Sequence, residues 1–303
     1  MRILALLLLA ALAGCTRNLA VLRQPTSYAV ATAPPWTSMV YAARTDHGVV
    51  LVDLGWYGAD RDIRRALARL GARPEDVTDV FLTHSHRDHI GGWRTVRHAR
   101  FHLSSAEAAF FEDRAHHGDL PSRAGERVLG NPAPWFGEVE LRPFSRDTVF
   151  AFGRDTLRAF VVPGHTPGHS AYLFRRVLFM GDAFTWYRLR GLHGAMSIFT
   201  YDTEQSRGSV GALLERALPL GVDWACNAHA KCLRPDSAFA RRVGRGPLPP
   251  TPPPQTARER GRTEEPVTAP LSRAVCGGGV GGGGPVSPAA RDGLRRAGRA
   301  GRA

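Results

Sequence analysis

The segment Thr83-His84-Ser85-His86-Arg87-Asp88-His89-Ile90-Gly91-Gly92 packs three histidines and an aspartate into one short stretch. His84 and His86 are two residues apart, so in an extended chain they point to the same side and can share one metal ion. Asp88 and His89 point differently and would reach a second ion beside the first. Imidazole and carboxylate donors together suit zinc, iron or manganese. A lone His-x-His pair carries little information. The added Asp-His and the two glycines that follow make the pattern specific.

Such residues need strands that end where they stand. Asp79 to Thr83 reads as a short buried strand delivering His84 directly. Met39 to Ala42 and Val49 to Val52 read as strands around a turn at Asp46-His47-Gly48. Arg61 to Leu70 has helical periodicity, with Ile63, Ala66, Leu67 and Leu70 on one face and Gly71 as its stop. Ser104 to Phe111 reads as a helix capped by Ser104 or Ser105. Further strands are expected at Glu138 to Phe152 and Leu157 to Val162. His169 to Phe174 and Val177 to Met180 form an expected hairpin across Arg175-Arg176. A helix is expected from Thr203 to Leu218, a strand from Val222 to Cys226, and a last helical turn or two from Ser237 to Val243. Strand pairs followed by helices, twice over, predict two central sheets with helices outside.

The histidine segment resembles the HxHxDH signature of the metallo-β-lactamase superfamily, and other segments resemble its remaining motifs in order. Pro163-Gly164-His165-Thr166-Pro167-Gly168-His169 resembles the second motif, which implies that His165 completes the first metal site. Gly181-Asp182 is similar to the motif whose aspartate bridges both metals. Asn227-Ala228-His229 is similar to the last motif, whose histidine binds the second metal. Asp53-Leu54-Gly55 resembles the first motif, whose aspartate usually supports a ligand. The sequence departs from many relatives at Ala228 and Ala230, which stand where glycines flank the last histidine. The resemblance spans about Tyr41 to Lys231. It implies an α+β fold, an αβ/βα four-layer sandwich, over residues 37–243. It also implies two divalent metal ions, zinc foremost and iron or manganese as alternatives. Their ligands would be His84, His86, Asp88, His89, His165, Asp182 and His229.

Two metals sharing a water lower its pKa from about 15.7 toward about 7. The resemblance therefore implies a metal-bound hydroxide attacking the carbonyl of an ester, lactone or thioester, with Asp88 as the catalytic proton acceptor. Tyr187, five residues past Asp182, is either a core or surface tyrosine or a contact to the substrate carbonyl or leaving group. A periplasmic β-lactamase is one alternative, but the β-lactamases of this superfamily lack the bridging aspartate that Asp182 resembles. A mononuclear iron persulfide dioxygenase-like oxidoreductase is another; those enzymes can do without the last histidine, and His229 is present. Nucleic-acid-cleaving members insert a domain, and the 16 residues between His165 and Asp182 leave no room for one there. The expected partner is a small-molecule substrate, with no nucleic acid. No GxSxG elbow or HExxH helix competes.

Other residues bear on the same site. His169 either supports a metal ligand or caps an element. His47, His98, His102 and His193 are expected to be solvated or half-buried, and His116-His117 to be a loop pair. Cys226 and Cys232 flank His229, either as a disulfide pinning that loop in an oxidising compartment or as two buried thiols.

The N-terminus reads as an address. Arg2, the apolar stretch Ile3 to Leu12, and Ala13, Gly14 and Cys15 describe a secretory signal. Leu12-Ala13-Gly14-Cys15 resembles the lipobox of bacterial lipoproteins. Residues 1–14 are then a signal peptide and Cys15 carries a lipid that anchors the chain to a membrane. Thr16, in place of an aspartate, favours the outer membrane, with the chain facing the periplasm. Residues 15–36 read as a linker and entry segment, with an entry strand leading into the folded body.

The chain of 303 residues has a formal net charge of +13. Its one lysine, Lys231, precedes Cys232, which excludes a P-loop. Residues 244–303 hold ten arginines against four acidic residues, with 13 glycines and 10 prolines. This stretch lacks apolar periodicity and is expected to be a disordered tail. That tail and an arginine-rich composition account for the basic excess without a nucleic-acid surface.

Overall fold

Strand β2 (Met39–Thr45) turns Met39, Tyr41 and Ala43 to one side and Val40 and Ala42 to the other, and both sides are buried. Strand β3 (Gly48–Val52) repeats the pattern, with Val50 and Val52 on the first side and Val49 and Leu51 on the second. Side chains alternate across a strand, so a strand apolar on both faces must sit inside a layered stack. The computed structural model describes residues 19–32, 38–112, 118–129, 137, 139–187 and 189–244, and it has that stack.

One six-stranded sheet runs in the order β1 (Ser27–Ala31), β2, β3, β4 (Val77–Phe81), β5 (Arg100–Ser104), β6 (Glu140–Phe144). The other contains β7 (Thr148–Phe152), β8 (Asp155–Val161), β9 (Ser170–Phe174), β10 (Val177–Phe179), β13 (Trp224–Cys226) and β14 (Cys232–Leu233), in the order β14-β13-β10-β9-β8-β7. Strands β11 (Phe184–Tyr187) and β12 (Gly191–Gly194) form a separate hairpin. Pairing is parallel from β3 through β6 and between β10 and β13.

Three apolar layers hold the sandwich together. Tyr41, Val50, Phe81, Tyr172, Phe174 and Phe179 fill the space between the sheets. Helix α1 (Asp60–Arg69) buries Ile63, Ala66 and Leu67 against the outer face of the first sheet. Helix α2 is the single turn Arg87–Ile90, and α3 (Ser105–Phe111) adds Ala108 and Phe111 to the same layer. Helix α4 spans Leu120–Leu129. Helices α5 (Thr203–Ala217) and α6 (Ser237–Val243) cover the outer face of the second sheet through Val210, Leu213, Leu214 and Phe239. This is the expected αβ/βα four-layer sandwich.

Several elements differ from the sequence expectation. The strand expected over Glu138 to Phe152 is broken at Ser145-Arg146-Asp147, and its halves, β6 and β7, belong to different sheets. Asp147 accepts the Val161 N–H at 3.0 Å and so fixes the crossing. The expected entry strand is β1, which pairs antiparallel with β2, but Leu19 and Leu22 in the stretch read as linker are already buried ahead of it. Helix α4, strand β5 and the β11–β12 hairpin were not expected. His102, expected near solvent, is buried with Nε2 2.7 Å from Asp79 Oδ1. No helix among the described residues is long and apolar enough to cross a membrane. The signal peptide, Cys15, His116-His117 and the tail from residue 245 lie outside the described residues.

Candidate metal centre

The turns after β3, β4, β8, β10 and β13 bring their side chains to one place. His84 and His86 follow β4, where the chain leaves the sheet and then closes into α2. His84 Nε2 and His86 Nδ1 lie 3.1 Å apart. His165, from the turn after β8, points Nε2 at both, 3.2 Å from each. All three rings are buried. The pair does share a side, but through opposite ring nitrogens rather than through simple strand alternation.

Asp88 and His89 lie on α2, with the His89 ring against that of His84, centroids 3.9 Å apart. His89 Nε2 is 3.5 Å from Asp88 Oδ2 and 3.6 Å from Asp182 Oδ1. His229, from the turn after β13, points Nε2 at Asp182 Oδ2, 3.0 Å away. The same Oδ2 is 3.8 Å from His165 Nε2. The Asp182 carboxylate therefore stands between the two groups. The donor atoms group as His84, His86 and His165; as His84, His89 and Asp182; and as Asp88, His89 and His229. Gly181 makes the approach possible. It sits at φ +51°, and a Cβ there would lie 2.5 Å from His169 Nε2.

A sequence profile of the metallo-β-lactamase superfamily matches residues 33–229, well over half of the chain. The chain belongs to the metallo-β-lactamase superfamily. A hydroxyacylglutathione hydrolase of Gloeobacter violaceus is 32% identical over 187 residues, 59% of this chain and 62% of that protein. A probable metallo-hydrolase of Bacillus subtilis is 30% identical over 193 residues, 60% of this chain and 76% of that protein. The chain thus spans less than two thirds of the first relative's length. A metallo-β-lactamase family protein of Thermus thermophilus shares the fold, with TM-score 0.53 at 22% identity over 73% of this chain and 79% of that one.

In this superfamily member the rings of His84, His86, His89 and His165 are held from behind. Asp53 Oδ2 accepts His89 Nδ1–H at 2.9 Å. Asp53 also accepts the Thr83 N–H and hydroxyl, each at 2.8 Å. The Thr83 hydroxyl lies 3.0 Å from His84 Nδ1. Asp119 Oδ2 is 3.3 Å from His86 Nε2, and Thr200 Oγ1 is 3.1 Å from His165 Nδ1. His169 holds no ring. Its Nε2 accepts the Asp182 N–H at 3.3 Å, so it supports Asp182 through the backbone. Thr83, Asp119 and Thr200 escaped sequence reading. Thr83 adjoins the histidine motif, but Asp119 and Thr200 sit far from it in the chain and carry no local signal.

Tyr187 is not drawn into this cluster; its ring packs edge-on against His193 at 5.5 Å and is 37% exposed. Cys226 and Cys232 form a disulfide across the paired strands β13 and β14, closing the turn that carries His229.

The two groups differ electrostatically. Burial, and then the neighbouring imidazoles His89, His165 and His86, hold His84 well below its ordinary pKa. Burial and His86 do the same to His165, and burial takes His169 down to about 3. His84 and His165 are thus held neutral, with lone pairs available. Burial opposes charge on His89 and His229 as well, but carboxylates outweigh it. Asp88, Asp182 and Asp53 raise His89 well above its usual value, and Asp182 and Asp88 raise His229 to about 9. Burial works against the Asp182 charge, yet His229 and His89 hold its carboxyl well below the carboxylate range.

Proposed function

We propose that this chain is a dinuclear metal-dependent hydrolase that cleaves an ester, lactone or thioester. The observation that carries the reading is Asp182, standing between a three-histidine group and an Asp-His-His group. The donor set fits zinc. Nitrogens bound to one tetrahedral ion at about 2.0–2.1 Å stand a little over 3 Å apart, which is the spacing of His84, His86 and His165. His89 Nε2 and Asp182 Oδ1 are buried without a hydrogen bond, a costly condition that an ion would relieve.

His84, His86 and His165 would hold one ion, and Asp88, His89 and His229 the other, with Asp182 reaching both. Bound divalent ions would polarise the substrate carbonyl and make water acidic enough to ionise near neutral pH. Asp88 is 18% exposed while His89 beside it is fully buried, so the Asp88 carboxylate can meet water and accept its proton. Asp53, Thr83, Asp119 and Thr200 keep the imidazoles oriented, which limits the reorganisation needed during reaction. The likeness to a hydrolase named for a glutathione thioester supports a carbonyl substrate of that general class. A bridging carboxylate does not favour β-lactam cleavage, and an intact His229 does not favour a mononuclear iron oxygenase.

The lipobox-like Leu12-Ala13-Gly14-Cys15 supports an extracytoplasmic, lipid-anchored location, the outer membrane facing the periplasm. The Cys226–Cys232 disulfide agrees with an oxidising compartment. The test is metal analysis of the purified chain with a hydrolysis panel of lactones, thioesters, aryl esters, phosphoesters and cephalosporins. Two zinc equivalents and turnover of lactones, thioesters or esters are expected. A folded chain that takes up no metal, or that turns over cephalosporins best, would overturn the reading.

A further inference from the structure

Glu107 is fully buried in the first turn of α3, beside the site but outside its donor set. Its two oxygens face two different loops. Oε2 accepts the N–H of Ser85, the residue between His84 and His86, at 2.8 Å. Oε1 accepts the Gly168 N–H at 3.2 Å and the hydroxyl of Thr166, which follows His165. Ser104, the cap of α3, strengthens the same junction: its hydroxyl donates to Gly168 O at 2.6 Å and accepts the Glu107 N–H at 3.2 Å. The loops approach so closely that a Cβ on Gly168 would lie 2.2 Å from the Ser104 hydroxyl.

These two loops come from different sheets and carry all three histidines of one group. A backbone bond from Ser170 N to Thr83 O, 2.8 Å, joins them elsewhere. The carboxylate touches both loops next to the ligands. Three donors converge on it, a demand that an ionised carboxyl meets and a carboxamide does not. A displacement of either loop would change the 3.1–3.2 Å spacing of the three nitrogens.

We propose that Glu107 is a positioning residue that clasps the two histidine loops and so sets the zinc affinity of the His84, His86 and His165 group. This inference rests on the metal reading above. The experiment strips the full chain of metal and titrates zinc into wild type, Glu107→Gln, Glu107→Ala and Ser104→Ala. Melting of the metal-free forms, zinc dissociation constants, kcat and KM are measured. Glu107→Gln keeps the shape but turns an NH2 toward one of the donors. Its affinity at one zinc site is expected to fall about 10–100-fold, and kcat to fall with little change in KM. Its metal-free melting temperature is expected to stay near that of wild type. Ser104→Ala removes only the hydroxyl and is expected to shift affinity the same way by less; it carries the test if the Glu107 variants fail to fold. Wild-type zinc affinity in Glu107→Gln and Ser104→Ala overturns the clasp. So does a loss of affinity matched by an equal loss of metal-free stability. Failure of wild type to bind zinc instead overturns the metal reading.

Discussion

Asp53 Oδ2 stands 2.9 Å from Nδ1 of His89, and both side chains are buried. The contact fixes which ring nitrogen of His89 is free to face the metal group. It also links β3 to α2, two elements that sequence alone keeps 36 residues apart. Asp53 reaches this position at φ +53°, a conformation a non-glycine residue adopts only when its surroundings hold it there. Asp53→Ala should therefore weaken metal binding at the group containing His89 by about 10–100-fold. Zinc titration checks this, and an unchanged second binding constant would contradict it.

Asp88→Ala removes a carboxylate that touches His89 and is more exposed, at 18%, than Asp182 at 14% or Asp53 at 4%. Turnover should drop by about 10²–10⁴-fold while the far-ultraviolet spectrum stays that of wild type. Near-normal turnover by the folded variant would defeat the proton-acceptor role.

Cys226 and Cys232 are fully buried, and their bond closes the turn bearing His229. Replacing both with serine should cost about 2 kcal/mol for so short a loop in the chain-entropy picture. Zinc should also leave the second group faster, since His229 loses its brace. Chemical denaturation and metal-exchange rates measure the two effects separately. A double variant as stable as wild type would show that the strand pairing alone holds the turn.

Asp79 is buried beneath Arg100 and His102, 2.7 Å from each. Burial opposes its charge, but the hydrogen bonds from His102 and Arg100 prevail and hold its carboxyl well below the usual range. A depressed folded pKa stabilises the fold above the unfolded value of about 3.9 and loses that effect as pH falls. Asp79→Asn should cost about 1–3 kcal/mol near neutral pH, and the gap to wild type should shrink on acidification below about pH 4. Denaturation at several pH values reads the gap; a gap constant with pH would rule the charge out as its source.

Cys15→Ser should release the chain from the membrane fraction or leave it unprocessed, because Cys15 stands where a lipoprotein cysteine would be modified. Metabolic labelling with a fatty acid decides the matter. Wild-type chain without label would leave only an ordinary signal peptide.

The sequence determined by itself what depends on neighbours in the chain. The spacing of His84, His86, Asp88 and His89, the strands around Val49–Val52 and Val177–Phe179, and a serine cap at Ser104 or Ser105 are local patterns, and the fold contains all of them, with Ser104 as the cap. Resemblance to known motifs then singled out His165, Asp182 and His229. Tertiary structure decided the rest, because hydrogen-bond partners and layer membership are set by packing between distant segments. Only the folded chain joins Glu107 to both histidine loops, sets Asp119 and Thr200 behind His86 and His165, and sends β6 and β7 to different sheets. A buried carboxylate 22 residues from the N–H it accepts leaves no periodic trace in the sequence. Its role follows from the requirement that buried polar groups be paired, and that requirement is met in three dimensions.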